Sequence, residues 1–357
     1  MIINSIKLIN FRNYLKTSFS FTSGINFIYG DNASGKTSLV EGIYFLSLAR
    51  SFRTNDDRNL INHNYDYASI IASLSIGEAC KEIEVYLTSE GKKIAINKKQ
   101  IHKISELSNV FNALYFIPKD VNLLKDQPKN RRLFLDLTLS KISKSYLEEV
   151  TSYEKLLCQR NDLLKKYEID YDLLEVLTNQ MIEASKEVYG YRSIYLKELN
   201  KAFSKIYKKI SGSNDEIEII YVPFINSLEN YKELAQKEYQ NSKELDIKKK
   251  QTTKGIHKED FYILLKHKNV GIYGSQGENR LCVLALKLSP YELIDDYKSK
   301  PVVILDDVLS ELDKDHQENL LNYLKKLSQV FITSTSKAYI DKTNYLEIKD
   351  DGLSKGE

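Results

Sequence analysis

Short apolar runs near the start of the chain predict strands, and one periodic segment among them predicts a helix. Residues 2–9 alternate in part between apolar and polar side chains, residues 17–21 form a second such run, and residues 25–29 are mostly apolar. These patterns are typical of half-buried and fully buried strands. In residues 37–49 the apolar side chains fall at helical spacing: Leu39, Val40, Ile43 and Leu46. The sequence therefore predicts a strand followed directly by a helix around residue 30.

Further short runs indicate an antiparallel β subdomain at about 68–100. The runs lie at residues 70–76, 82–87 and 93–97. Gly77 and Gly91 separate them, and short runs bounded by glycines are typical of strands joined by tight turns.

The middle of the chain changes to a helical pattern. Between Pro128 and Pro223 there is no proline and there are only two glycines. Apolar side chains there recur in alternating steps of three and four residues, which is a heptad pattern: Leu174, Leu177, Met181, Ala184, Val188, Tyr191 and Tyr195. An earlier segment, 146–167, has similar spacing. We predict two helices that form an antiparallel coiled-coil hairpin with its tip near Asp170. The seam serves either as the core of a helical subdomain or as an arm that binds a partner.

The segment that follows is more ambiguous. Residues 217–222 and 261–265 read as strands, and the polar residues 237–254 between them read as a solvated linker. The linker carries the basic cluster Lys248, Lys249 and Lys250, which on a DNA-facing surface would contact phosphates. Residues 255–260 have the sequence Gly-Ile-His-Lys-Glu-Asp. They are either structural residues at the corner of a hairpin or a corner with a role in function.

Composition narrows the classes of protein that fit. The chain has 357 residues, 42% of them hydrophobic and 28% charged, which is typical of a soluble globular protein. Its 52 basic and 49 acidic residues give a net charge of only +3, so any nucleic-acid surface must be local. The three cysteines are far apart and suggest neither a disulfide framework nor a metal site. We find no signal peptide and no apolar run long enough to span a bilayer, so we expect a cytoplasmic protein without a membrane partner.

The predicted strand–helix junction carries a phosphate-loop pattern. Residues 30–38, hereafter the phosphate loop, fit G-x-x-x-x-G-K-[ST]: Gly30, Asp31, Asn32, Ala33, Ser34, Gly35, Lys36, Thr37 and Ser38. Free backbone N–H groups and the positive end of the helix dipole favour a phosphate at such a junction. Lys36 would reach the β- and γ-phosphates of ATP, and Thr37 would bind Mg²⁺. The alternative is a fortuitous glycine turn, which the flanking strand and helix disfavour.

Two later segments add to this chemistry. Ser275, Gln276, Gly277 and Glu278, hereafter the signature segment, precede an apolar helix and form a second candidate anion site. Residues 302–305 form a buried-strand run that ends in Asp306 and Asp307. Asp306 at the strand end would bind Mg²⁺, and Asp307 would orient or polarise the attacking water. The alternative for the two acids is a solvated turn. Residues 310–313 then begin another helix, with Ser310 or Asp313 as its cap.

The order of these motifs resembles the ATPase head of ABC-type enzymes, as found in the SMC-like family of DNA-maintenance proteins. The resemblance implies an α/β fold: a P-loop head with a mixed β-sheet at 1–125 and 215–357, and an inserted helical or coiled-coil arm at 126–214. In that family the signature segment caps the γ-phosphate that is bound to a second protomer. A homodimer that sandwiches ATP is therefore implied.

Within this group the chain resembles the RecF family of recombination-mediator ATPases. The resemblance rests on residues 8–14, the phosphate loop, and residues 50–54, 118–120, 131–136, 255–260, 274–280 and 305–313. It implies binding to double-stranded DNA near single-strand gaps. It also implies cooperation with RecR and RecO in placing RecA during gap repair, replication restart and the SOS response.

Several positions depart from the family patterns. Phe52 stands where the RecF family usually has histidine, and residues 255–260 replace a G-P-H-R-D-D motif. Transporter-type heads carry glutamate at the place of Asp307 and a histidine after the last core strand, where residues 333–335 are Thr-Ser-Thr. The shorter carboxylate and the missing imidazole predict weak hydrolysis. No Q-loop glutamine stands out, which argues against a transport ATPase. A scaffold that binds ATP without turnover is a further alternative, which the intact Lys36 and the two acids disfavour.

Overall fold

The chain adopts a mixed α/β fold, which a computed structural model describes for residues 1–349 without the side chains of Ser105 and Tyr297. Residues 350–357, the end of the predicted head range, lie outside the described residues. The chain divides into two compact units. The first unit comprises 1–121, 206–214 and the segment from 284 onward, and the second comprises 122–205 and 215–283. Which segments act together as head and arm stays a prediction, because compactness alone does not assign an activity.

Each of the runs named above forms a strand, most of them a little longer than predicted, and further strands join them. They are β1 (Ile2–Phe11), β2 (Tyr14–Ser20), β3 (Gly24–Tyr29), β4 (Tyr67–Ile76), β5 (Ala79–Thr88), β6 (Gly91–Ile96), β7 (Lys99–Ile101), β8 (Ala113–Phe116), β9 (Ile217–Val222), β10 (Asp260–Leu265), β11 (Lys268–Asn269), β12 (Val302–Leu305), β13 (Gln329–Ser334) and β14 (Asn344–Glu347).

The helices include every helix that the periodicity predicted and others that it missed. They are α1 (Lys36–Leu48), α2 (Ile104–Ser108), α3 (Pro128–Ile142), α4 (Lys144–Leu164), α5 (Tyr171–Ser211), α6 (Tyr231–Lys249), α7 (Val270–Tyr273), α8 (Gln276–Glu292) and α9 (Lys314–Leu324). Among those that it missed are the short α2 and α7 and the long α6. None of the helices within residues 1–349 combines the length and the apolarity needed to cross a bilayer.

Two sheets with different pairing build the first unit. A six-stranded antiparallel sheet has the order β2-β1-β4-β5-β6-β7, which confirms the antiparallel strands predicted at about 68–100. A five-stranded parallel sheet has the order β14-β3-β13-β12-β8. One apolar core joins side chains of both sheets and of α1, such as Leu8, Ile43 and Phe331. Because α1 is packed on nearly all sides, the start of this helix is held firmly at the carboxyl ends of β3 and its parallel neighbours.

The second unit contains the predicted helical hairpin. α4 ends at Leu164 and α5 begins at Tyr171, so the turn lies where the heptad pattern placed it. Leu163, Leu164, Leu174 and Leu177 pack together beside this turn. The strands β11, β10 and β9 form a small antiparallel sheet in the same unit.

The interpretation of residues 237–254 as a solvated linker is wrong. α6 covers most of that range and buries Ala235, Tyr239, Ser242 and Asp246 at helical spacing. Two of those four inward positions are polar, so apolar periodicity could not reveal the helix. Asp246 is fully buried because Arg160 and the backbone N–H of Thr253 donate to its carboxylate.

Candidate functional site

The phosphate loop connects β3 to α1 in a conformation that requires glycine at both ends. Gly30 has φ 154° and Gly35 has φ 112°. A Cβ at Gly30 would lie 2.2 Å from the carbonyl oxygen of Ile348, and one at Gly35 would lie 2.7 Å from Nδ2 of Asn13. Glycine at these two positions avoids both the clash and the strain of a positive φ. It therefore lets the backbone form the tight turn that is typical of an anion site.

Lys36 lies across this turn. Its Nζ donates hydrogen bonds to the carbonyl oxygens of Gly30 at 2.8 Å and Asp31 at 2.6 Å. The residue is only 8% exposed, and burial lowers its pKa, an effect opposed by Asp307, Asp306 and Asp31. The acids around the loop thus favour the charged ammonium that a phosphate would bind.

A carboxylate and two hydroxyls meet beside the loop. Asp306 directly follows β12, and the parallel strand β13 places Thr333 next to it. Thr333 Oγ1 donates to Asp306 Oδ1 at 2.6 Å, and Thr37 Oγ1 lies 3.1 Å from both carboxylate oxygens. Burial raises the pKa of Asp306, and the bonds from Thr333 and Thr37 oppose that shift. Oxygen ligands of this kind suit Mg²⁺, which usually takes one or two protein ligands and completes its shell with phosphate and water.

Asp307 takes a strained conformation next to this cluster. Its φ is 50°, its backbone N–H donates to Thr333 Oγ1, and Ser310 Oγ donates to its carboxylate at 3.0 Å. Ser310 is therefore not the cap that sequence reasoning allowed. Asp313 caps α9 instead, by accepting from the N–H of His316. Left-handed backbone at a residue other than glycine is costly and often marks a functional position.

Sequence reasoning missed the buried acid that organises the cavity wall. Glu41 in α1 is fully buried and accepts hydrogen bonds from Arg12 at 2.9 and 2.7 Å, from Ser51, and from Arg53 at 3.4 Å. Arg12 and Arg53 both line a cavity of about 1050 Å³. The same cavity is lined by Lys36, Thr37, Asp306 and Asp307. Arg53 lies beyond the end of α1 at Leu48 and lines this cavity, so its charge is available to a phosphate there.

The signature segment, which belongs to the second unit, begins α8 with a reciprocal capping arrangement. Ser275 Oγ accepts from the N–H of Glu278 at 3.2 Å, and Glu278 Oε2 accepts from the N–H of Ser275 at 2.8 Å. Gly277 is exposed and a Cβ there would meet nothing within 4 Å. Because this cap occupies the N–H groups of Ser275 and Glu278, an external anion would meet the serine hydroxyl and the exposed backbone at Gly277.

The corner at residues 255–260 is tied into a buried network. Glu259 is 3% exposed and accepts from Arg192, from the hydroxyl of Tyr221 and from the N–H of Phe224. Arg131 forms an ion pair with Asp260 at 2.7 Å. Both acidic side chains are engaged within the unit, which favours the structural interpretation of this corner.

His257 gives this corner a pH dependence. Its Nε2 lies 3.1 Å from the carbonyl oxygen of Thr252 and its Nδ1 lies 2.8 Å from the hydroxyl of Tyr153, so the neutral ring donates through Nε2 and accepts at Nδ1. Burial lowers the pKa of His257 from 6.5 to about 4. The unfolded chain then binds more protons between those values, so stability must fall as the pH drops from 6.5 to 4.

We expect this loss to reach roughly 2–3 kcal/mol at pH 4. The measurement is urea unfolding at several pH values for the protein and for His257→Gln, which cannot titrate. The stability difference between the two should change across this window. A difference that stays constant from pH 7 to pH 4 would show that the imidazole is not held neutral.

Comparisons with known proteins agree with these features over the whole chain. Residues 2–349 match the family described as RecF/RecN/SMC N terminal domain. The chain is 37% identical to DNA replication and repair protein RecF of Bacillus thuringiensis (strain Al Hakam) over 366 aligned positions, which cover 100% of this chain and 98% of the relative. The RecF of Bacillus cereus (strain B4264) gives the same identity and coverage.

Solved structures give the same result. Two structures of the recombination mediator protein RecF in the RecFOR pathway, RecF-ATPrS and RecF-ATP, align with TM-scores of 0.88 and 0.87 at 34% identity, covering 98% of this chain and 96% of each of theirs. The Smc head domain of Pyrococcus furiosus aligns with a TM-score of 0.58 at 19% identity, covering 98% of this chain and 94% of its own, and supports the fold alone. The predicted ABC-type head fold is confirmed.

Proposed function

Since the chain belongs to the RecF family, within the RecF/RecN/SMC N terminal domain group, we propose that it is an ATP-dependent, DNA-binding recombination mediator. The observation that carries this proposal is the convergence of Lys36, Thr37 and Asp306 around one cavity. Asp306 lies 269 residues after Thr37 in the sequence, and it contacts Thr37 beside the phosphate loop as a phosphate and metal site requires.

In this proposal the phosphate loop binds ATP with Mg²⁺. Lys36 holds the β- and γ-phosphates, and Thr37 and Asp306 hold the metal. Asp307 orients the attacking water, and hydrolysis is weak because Asp307 is a shorter carboxylate than glutamate and residues 333–335 supply no imidazole. Arg12 and Arg53, held by Glu41, supply further positive charge on the same cavity.

The site is completed by a second copy of the chain. Ser275 and Gly277 of that copy cap the γ-phosphate, so ATP drives homodimerisation and hydrolysis reverses it. The rigid, exposed start of α8 supports this role, because a preformed anion site needs no further ordering when it binds.

The ATP-bound dimer binds double-stranded DNA near single-strand gaps. The relatives' description as a recombination mediator in the RecFOR pathway supports this role and the cooperation with RecR and RecO in loading RecA. Lys248, Lys249 and Lys250 at the end of α6 are exposed and are candidates for contact with DNA phosphates. We further propose that 126–214 acts as the arm, that 1–125 and 215–357 act as the head, and that the protein works in the cytoplasm.

Gel filtration with ATP tests the shared site. We expect Lys36→Arg and Ser275→Arg each to remain monomeric with ATP, because each removes one half of both composite sites. An equal mixture should recover a dimer fraction, since a mixed dimer keeps one intact site. Ser152→Arg on the exposed face of α4 is the matched control and should dimerise normally. If both site variants dimerise like the control, the sandwich is wrong.

A further inference from the structure

Two large apolar side chains lie exposed immediately before the signature segment. Ile272 is 70% exposed and Tyr273 is 72% exposed, and both belong to the short helix α7. Isolated exposed apolar residues are ordinary on protein surfaces. Ile272 and Tyr273 differ from such isolated residues, because they are adjacent to each other and precede the signature segment. They add exposed apolar area where a second copy of the chain is expected to bind.

The pair is fixed rigidly to the signature segment. Asn279, which is fully buried, donates through Nδ2 to the carbonyl oxygens of Val270, Gly274 and Ser275, each at 3.0 Å. These hydrogen bonds connect the backbone at the start of α7, at Gly274 and at the start of α8.

Two glycines show how tightly this backbone is packed. A Cβ at Gly271 would lie 2.4 Å from the carbonyl oxygen of Leu124, and one at Gly274 would lie 2.6 Å from that of Val270. The backbone that carries Ile272 and Tyr273 is therefore held in place beside the signature segment. Ile272 and Tyr273 precede Ser275 by only three and two residues, so they are near any surface that contacts Ser275.

We propose that Ile272 and Tyr273 form an apolar anchor that packs against a second copy of this chain when the signature segment closes on that copy's nucleotide. This inference rests on the proposed ATP-driven homodimer and assigns part of its interface. In a two-fold dimer each copy gives and receives the same contact, so the anchor acts twice.

The rim of the nucleotide cavity offers a matching surface. Leu15 lines that cavity and is 52% exposed, and Ile61 lines it as well. An anchor beside a signature segment that caps the γ-phosphate would reach the rim of the same cavity on the other copy. Aromatic side chains are enriched in the buried centres of protein interfaces, where a few residues dominate affinity.

DNA is a poor alternative occupant. Duplex DNA presents mainly phosphates and sugars, which gain little from contact with an isoleucine and a tyrosine. In the proposed dimer, the phosphate at the neighbouring Ser275 belongs to a nucleotide that a second copy of the chain carries. A second copy of the chain supplies both an apolar rim and a nucleotide.

The test is sedimentation with ATP of the double variant Ile272→Ser with Tyr273→Ser, compared with the unmodified protein. We expect the dimer dissociation constant to rise by roughly 10–100-fold, as for loss of an interface hot spot. Binding of a fluorescent ATP analogue by the monomer should stay unchanged, because neither residue belongs to the lining of the phosphate loop's own cavity. The matched control removes the same two residue types elsewhere, by Ile194→Ser with Tyr167→Ser, both of them exposed.

The outcomes separate the anchor from the dimer itself. If the unmodified protein does not dimerise with ATP, the proposed function fails and the anchor with it. If the unmodified protein dimerises and the double variant dimerises equally well, the anchor alone is wrong. If the double variant dimerises normally but loses binding to RecR, the surface belongs to another protein and the anchor is likewise overturned. Unchanged thermal unfolding shows that the variant is folded, and Tyr273→Phe should retain dimerisation because it keeps the ring.

Discussion

Asp306→Asn is expected to lower single-turnover ATP hydrolysis by roughly 10³-fold, because a metal ion contributes several kcal/mol to the stabilisation of the transition state. Asparagine still accepts a hydrogen bond from Thr333 and can donate one to Thr37, so the local fold should persist. What is lost is the negative charge that would hold Mg²⁺ beside the γ-phosphate.

The same change should leave the melting temperature equal or higher. Burial raises the pKa of Asp306, which means that the folded protein disfavours its charge. Removing the charge removes that cost, so stability and activity should move in opposite directions. The exposed Asp66→Asn is the control and should alter neither quantity. Hydrolysis within about tenfold of the unmodified rate would exclude Asp306 as the metal ligand, and no hydrolysis by the unmodified protein would favour a scaffold without turnover.

Arg192→Ala is expected to destabilise the second unit by roughly 3–5 kcal/mol, the usual cost of leaving a buried charge without its partner. Arg192 is 2% exposed and bonds to Glu259 at 2.6 Å and to Asp136 at 2.8 Å. Without Arg192, the buried carboxylate of Glu259 loses the positive charge that it pairs with. The network joins α3, α5 and the 255–260 corner, so the whole unit should weaken.

Hydrogen exchange of the amides of residues 171–205 in α5 under increasing urea measures this loss for the second unit alone. Lys201→Ala removes an exposed ion pair with Glu198 on the same helix and should cost less than about 1 kcal/mol. A similar small cost for Arg192→Ala would show that the network contributes little to stability.

The parts of the fold that the sequence predicted are those with local signals. The phosphate loop and the Asp306–Asp307 pair each lie within a few residues of a strand end, so pattern and spacing were sufficient. The helical hairpin was predictable because its heptad seam is almost wholly apolar. α6 was missed because Ser242 and Asp246 occupy inward positions, and the partners of Asp246, Arg160 and Thr253, are recognisable only once the chain has folded.

Thr333 and Glu41 were missed for the same reason, since their partners are recognisable only in the folded chain. Thr333 contacts Asp306 through the parallel pairing of β12 and β13, across 27 residues of sequence. Glu41 lies on what reads as an apolar helix, and its role comes from Arg12, 29 residues earlier. A charged residue inside a predicted buried helix was the one available signal, since such residues are rarely buried without a partner.

The central claim is that the phosphate loop is half of a site that a second copy completes, with DNA binding as its output. The most direct measurement is the rate of ATP hydrolysis per protomer over a range of protein concentrations, with and without gapped duplex DNA. The account predicts a rate that rises with protein concentration as dimers form, and that rises further when the DNA is present. A rate per protomer that is independent of both would contradict it.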